Sequence, residues 1–198
     1  MKQKLIILAS FIFLTSFQSC KKDSNTNKLT LSAQEISDLT FLREEEKLAH
    51  DVYVYSYQKY NQAIFDNISN SELTHTNSVL SLLNKYGITD PVENNEVGVF
   101  SDSSLQLLYN ELTAKSDSSI TKALEVGATI EDLDIHDINT FLSHTSNNDL
   151  LKVYNNLNCG SRNHLRAFVS QLGSYTPSFL SQTEYNEILN ASHEQCGK

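Results

Sequence analysis

Phe65, Ile68, Glu72, His75, Val79, Leu82 and Tyr86 recur every three or four positions along the chain. That spacing gathers all seven on one face of an α-helix and scatters them over both faces of a strand. The segment therefore reads as a helix whose inward stripe is apolar at both ends, with a carboxylate and an imidazole in its middle. Ser69-x-x-Glu72 also has the form of a capping box, which would begin a helix at Ser69 and spend Glu72 on its first turn. The stripe starts earlier, at Phe65, so the mid-helix reading of Glu72 is the favoured one.

The same periodicity runs through most of the chain, and only 6 Gly and 2 Pro interrupt 198 residues. Long helices follow, in one all-α domain. A first helix starts at the capping box Ser32-x-x-Glu35 and reaches about Tyr60, with Leu39, Leu42, Glu46, Ala49, Tyr53 and Tyr57 inward. The second runs from Ala63 to a stop at Gly87, with Pro91 shortly after. A loop from Pro91 to Ser101 leads to a short helix over 104–115. The third main helix spans 118–144 and turns Gly127, Glu131, Asp134, Ile138 and Phe141 to one side. The fourth spans 147–173 with Val153, Leu157, Ser161, His164 and Phe168 aligned, and Gly160 marks a close helix approach or a bend. The tail reads as loop plus a short helix.

The first twenty residues have a basic start, an apolar run from Leu5 to Phe17 and small residues before Cys20. The run is too short to span a bilayer, so it is an export signal and no part of the fold. It resembles a bacterial lipoprotein signal: 1–19 would be removed, and Cys20 lipidated as the mature N-terminus. Residues 20–30 form a polar tether, and 31–198 form the helical domain and its tail. The expected location is the cell envelope, anchored on the outer-membrane or periplasmic side. Losing Lys2 and Lys4 takes the formal charge from −9 to −11. An acidic domain with no basic stripe is unsuited to nucleic acid. With Cys20 lipidated, Cys159 and Cys196 remain in an oxidising compartment, which suggests a disulfide pinning the tail; two free thiols are the alternative.

Each of the four main helices thus carries ligand-type residues on its inward face: Glu46, then Glu72 and His75, then Glu131 and Asp134, then His164. A lone buried carboxylate costs several kcal/mol unless something neutralises it. A pair of divalent metal ions would do so, with carboxylates chelating or bridging and imidazoles completing the shell.

With those residues in hand, the chain resembles the ferritin-like di-metal carboxylate proteins, in which a Glu on one helix and Glu-x-x-His on the next are repeated. REEEKLAHDVY is similar to the rubrerythrin-type first helix and IFDNISNSELTH to the second. REEEKLAHDVY, SELTH, VGATIEDLDIHDI and GSRNHLRAF together resemble the prokaryotic domain of unknown function 2202, over roughly residues 37–175. The resemblance implies a ferritin-like four-helix bundle with a short extra helix between the second and third main helices. It implies Glu46, Glu72, His75, Glu131 and His164 as ligands of two transition metal ions, iron first, with manganese or zinc as alternatives. Ser161 departs from the pattern, because a complete second motif would need Glu there, and Asp134 is the candidate substitute. Tyr53, Arg162 and Asn163 are expected beside the ligands, with Arg162 and Arg166 paired to core or rim acids and Asn163 orienting a ligand. Glu44 and Glu45 are expected on a solvated or salt-bridged face with Arg43 and Lys47, each also a weaker candidate for the place of Glu46. His50, His136, His144 and His193 are expected exposed or behind the ligands. Three functions follow: an oxidase or ferroxidase acting with oxygen or peroxide, a metal store or sensor without turnover, or a metal-free structural bundle at the cell surface. A homodimer is compatible with each.

Overall fold

The computed structural model describes residues 30–92 and 96–197. The signal 1–19, the lipidation site Cys20 and the tether up to residue 29 lie outside them. The described residues form six helices and no strand: α1 (Ala33–Tyr60), α2 (Ala63–Tyr86), α3 (Ser103–Ser116), α4 (Ile120–Ser143), α5 (Asn148–Leu172) and α6 (Gln182–Asn190). None of them is long and apolar enough to cross a membrane.

Local chemistry sets the helix ends. Ser32 and Glu35 form a reciprocal capping box, Glu35 N–H donating to Ser32 Oγ at 3.2 Å and Ser32 N–H to Glu35 Oε2 at 2.7 Å. The side chains of Asp102, Ser119, Asn147 and Ser181 cap α3, α4, α5 and α6. Gly87 and Gly173 end α2 and α5 at φ of 68° and 78°, a conformation that other residues enter at a cost. The second helix runs unbroken through Ser69, so Glu72 lies near its middle.

The four long helices pack as two hairpins, α1 with α2 and α4 with α5, joined by contacts of α1 on α4 and α2 on α5. Their apolar residues form two separate clusters. One contains Val52, Tyr53, Phe65, Val126, Leu165 and Phe168, and the other Leu39, Leu42, Val79, Ile138, Leu150 and Tyr154. On α1, α2 and α5 a short polar stretch separates the two sets, at 43–47, 72–76 and 158–164, and on α4 the acids at 131–134 lie at the inner edge of the first set, between Ile130 and Ile135. The bundle is therefore apolar at both ends and polar at one middle level, which is where the candidate ligands lie.

α1 is buried on all sides from Leu42 to Ala49, because α3 and its preceding loop cover the face that α2 and α4 leave open. Of the two alternatives expected for the face of Glu44 and Glu45, the solvated one fails, because both are buried, and the salt-bridged one describes their neighbours Arg43 and Lys47. Glu44 accepts hydrogen bonds from the backbone N–H groups of Ser101 (2.5 Å) and Asp102 (3.0 Å). Lys47 is 2% exposed, pairs with Asp51 at 2.5 Å and donates to the carbonyl of Glu96 at 2.8 Å. Arg43 reaches Asp90 at 3.1 Å and Thr76 of α2. Loop backbone buried against a helix must find polar partners, and these charged side chains supply them. Asp132 does the same on α4, accepting from Ser178, Phe179 and Leu180 N–H at 2.6, 3.1 and 2.9 Å.

The tail is fixed to α5 by a disulfide between Cys159 and Cys196, whose Cα atoms are 5.7 Å apart. Closing a loop of this size contributes about 3 to 4 kcal/mol in the chain-entropy account. Glu194 lies beside it and accepts from Arg162 and Arg166, each at 2.8 Å to Oε1.

Candidate metal centre

Glu46 comes from α1, Glu72 and His75 from α2, Glu131 from α4 and His164 from α5. Each stands one or two helical turns from a residue of one apolar cluster and faces the others across the bundle axis. The i, i+3 spacing of Glu72 and His75 puts both on that face. Two groups result that can hold a metal ion: Glu46, Glu72 and His75 in one, and Glu72, Glu131 and His164 in the other, with the ligand atoms of each group within 4.8 Å of one another. Glu72 belongs to both.

Both imidazoles turn Nδ1 to the carboxylates. His75 Nδ1 lies 2.8 Å from Glu72 Oε2 and 3.2 Å from Glu46 Oε2. His164 Nδ1 lies 2.6 Å from Glu72 Oε1 and 3.4 Å from Glu131 Oε2. The two oxygens of Glu72 thus address one histidine each, and the rings stack with centroids 5.6 Å apart. The three glutamates are 1% exposed. Even so, Glu46 Oε1 has no hydrogen bond among the described residues, and Glu72 Oε1 and His164 Nδ1 face each other at 2.6 Å. Buried polar atoms without hydrogen bonds are rare in folded proteins. An unpartnered carboxylate oxygen beside carboxylates and imidazole nitrogens that lie within 4.8 Å of one another is the donor set a cation needs, so the residues fit a metal pair.

The electrostatics point the same way. Burial lifts the Glu46 carboxyl well above its usual range, and neighbouring Asp134 lifts it further. Asp134 is pushed up to about 8, first by burial and then by Glu131 and Glu72. Burial alone would depress His164, but Glu72 and Glu131 outweigh it and push the ring up to about 10. His75 is raised for the same reason by Glu72 and Glu46. Burial likewise opposes ionisation of Glu72, yet the two flanking imidazoles hold it well below the carboxylate range. In the metal-free chain, protons on histidines and carboxyls neutralise this level of the bundle. Metal ions would take their place and release them.

Ser161 stands where a second Glu-x-x-His would place its glutamate, and its hydroxyl donates to Asp134 Oδ2. Asp134 is buried and electrostatically close to Glu46, with Oδ1 orphaned, but it falls in neither three-residue group. Tyr53 donates to Glu131 Oε1 at 2.5 Å and so orients a ligand from behind. Arg162 and Asn163, expected beside the ligands, face the tail instead: Arg162 binds Glu194 and Asn158, and Asn163 binds the backbone of Glu194. His50 links α1 to the carbonyl of Ser69 at 2.8 Å, His144 pairs with Asp38 at 2.8 Å, and His136 and His193 are exposed.

Gly160 has a role the sequence left open between a bend and a close approach. A Cβ there would lie 2.6 Å from Cε1 and Nε2 of His75, so the glycine is what lets that ring sit against α5. Glu45, expected on a solvated or salt-bridged face, is neither exposed nor paired with a cation. It is buried with both carboxylate oxygens lacking a hydrogen bond among the described residues. Three successive glutamates are about 100° apart around a helix, so stripe reasoning keeps one and sends two to solvent. On a helix covered all round, that rule fails.

The donor set is oxygen and nitrogen without thiolate, which suits iron or manganese and also admits zinc. The chain is similar to the uncharacterized protein MJ0754 of Methanocaldococcus jannaschii, 48% identical over 176 residues that make up 87% of this chain and 95% of that one. The crystal structure of that hypothetical protein superimposes with a TM-score of 0.83 at 49% identity, covering 84% of this chain and 98% of the other. The sequence also matches the family model described as an uncharacterized protein domain, DUF2202, over residues 35–192, and the chain belongs to that family.

Proposed function

We propose that this chain is an exported, lipid-anchored protein of the ferritin-like kind whose bundle holds two transition metal ions, iron in the first instance, and uses them as an oxidase or ferroxidase with oxygen or peroxide. The observation that carries the reading is Glu72, whose two oxygens address two histidines and which belongs to two metal-competent groups at once. Glu46, Glu72 and His75 would hold one ion, and Glu72, Glu131 and His164 the other. The ions would supply electrons and a binding position for the oxidant. The chain's own part is to hold the carboxylates apart from bulk water, to fix Glu131 through Tyr53, and to keep protons on His75 and His164 until the ions displace them.

Metal analysis of the purified protein tests this. About two iron equivalents per chain are expected, with loss in Glu72→Ala and His75→Ala. Stoichiometric iron untouched by either change would sink the proposal. The near-complete burial of the three glutamates supports a second reading, a metal store without turnover. Adding ferrous iron to the metal-free protein separates the two, because an oxidase consumes oxygen and a store does not. The lipid anchor is tested by lipid labelling of the full chain, which Cys20→Ser should abolish.

A further inference from the structure

Where α1, α3 and α4 meet, they leave a narrow cavity of about 30 Å³. Leu48 and Ala49 of α1, Leu108 and Leu112 of α3, and Ile130 and Leu133 of α4 wall it with hydrocarbon. Exposure grades along this lining. Phe179 of the α5–α6 loop is 42% exposed, Leu108 and Leu133 are half-buried, and Glu45 and Asp134 are buried. The cavity therefore opens to solvent at Phe179 and closes on the two acids. Thr129 also lines it, but its hydroxyl is spent on the carbonyl of Glu125 at 2.8 Å.

The closed end adjoins the candidate centre. Ala49 follows Glu46 by three residues and Asp134 follows Glu131 by three, a spacing that stacks each pair on one helix face. Asp134 gives Oδ2 to the hydroxyl of Ser161, while Oδ1 has no hydrogen bond among the described residues. The cavity thus ends on an unpartnered oxygen, one helical turn from Glu46 of the first group and Glu131 of the second. Those glutamates are each 1% exposed, so whatever reacts with the ions needs a way in.

Size and chemistry select the occupant. Pockets for organic ligands run from about 300 to 1,000 Å³, and this one, roughly a tenth of the lower figure, admits only a molecule of the simplest kind. Water and peroxide need hydrogen-bond partners, which this wall withholds until its inner end. An ion would lose its hydration along the same wall without compensation. Dioxygen is small and apolar and needs neither.

We propose that this cavity admits dioxygen and delivers it to the metal pair from the seam of α1, α3 and α4, which makes dioxygen, and not peroxide, the oxidant. It rests on the reading of the pair as an oxidase centre.

Xenon, an apolar atom visible by anomalous scattering, probes the cavity in pressurised crystals of the metal-free chain. A peak is expected between Leu108, Leu112 and Ile130. Oxygen consumption by the iron-loaded chain probes passage. Leu108→Trp and Leu133→Phe add bulk at the half-buried rim, two separate places, so that one variant guards against misfolding of the other. Each should abolish the xenon peak, keep the bound iron and slow consumption several-fold at limiting oxygen. Leu107→Trp, at a neighbouring position that is 64% exposed and outside the cavity, should change nothing. Three results would overturn the proposal: a wild type without the peak, a peak that survives both substitutions, or a blocked variant that consumes oxygen at the wild-type rate. Faster oxidation of bound ferrous iron by peroxide than by dioxygen would overturn the choice of oxidant. Failure of the underlying reading looks different: the wild type would hold no iron or consume no oxygen, while the xenon peak remained.

Discussion

The two halves of the centre are built on one plan and differ in one residue. On the α1/α2 side, Glu72 and His75 are both ligand types three residues apart, and Glu46 keeps an oxygen free for an ion. On the α4/α5 side, His164 has Ser161 in place of its glutamate, and Glu131 already accepts a hydrogen bond from Tyr53. The first half is richer in uncommitted oxygen, and the second is more tightly tied to the protein. Two ions bound here should therefore bind unequally, the first at Glu46, Glu72 and His75, the second at Glu72, Glu131 and His164.

The largest effect should come from the residue the halves share. Glu72→Ala removes a carboxylate from both groups and should weaken both ions more than ~100-fold, beyond the 10 to 100-fold typical of residues that merely orient a ligand. Glu131→Ala should weaken mainly the second ion. Calorimetric titration with manganese(II) measures each. If Glu72→Ala and Glu131→Ala look the same, the two groups are one site and the comparison collapses.

Gly160→Ala should strike the first half alone. The added methyl would meet the His75 ring at 2.6 Å and drive it off Glu46 and Glu72, weakening the first ion about 10 to 100-fold while leaving the second in place. Gly127→Ala is the control, since its methyl would meet Phe168 at 2.4 Å in an apolar cluster. It should lower stability by about 1 to 3 kcal/mol, read by denaturant unfolding, and spare both ions.

Protons report on the two halves separately. His164 is pushed up to about 10 in the metal-free fold, against an ordinary value near 6.5, and His75 is raised as well. A histidine with a raised folded pKa contributes stability that is complete below its unfolded pKa and is lost as pH rises through the folded one. The metal-free chain should therefore lose stability from about pH 6.5 to about 10, by at most about 1.4 kcal/mol per unit for each ring. Asp134, raised to about 8 by burial and neighbouring acids, acts in the same direction between its unfolded pKa and that value. Metal loading should flatten the curve and release about one proton per ion at neutral pH, measured by calorimetry in buffers of different ionisation enthalpy. Release from one ring only would mean that one half stays empty.

The positions of the candidate ligands are in part legible in the sequence, and the reasons are specific. The stripe from Phe65 to Tyr86 locates Glu72 and His75 because α2 buries one face and leaves the other wet, the condition under which a 3.6-residue period carries information. The caps at Ser32 and Gly87 depend on local chemistry and are readable for the same reason. α1 is different: covered on every side, it buries Arg43, Glu44, Glu45 and Lys47 together, and no periodicity separates a ligand from a loop anchor. Arg162 pairs with an acid, as its charge suggests, but that acid is Glu194 of the tail brought back by Cys196, which also takes Asn163; this contact at long sequence separation is encoded by no local pattern.

Tyr53 offers the finest test of the difference between the halves. Its hydroxyl donates to Glu131 Oε1 at 2.5 Å, within one apolar cluster and beneath the second group. Burial and the nearby charges of Glu131 and Glu72 raise its pKa well above the usual tyrosine range, so it acts only as a donor. Tyr53→Phe keeps the ring and its packing on Phe168, removes the bond to Glu131 and the longer one to the Gly127 carbonyl (3.3 Å), and frees Glu131 to turn. The second ion should weaken about tenfold, the lower end for loss of an orienting contact, while the first is unchanged. A change shared equally by both ions would show that Tyr53 supports the bundle as a whole. A change confined to the first would mean that the order of filling argued from Ser161 is reversed.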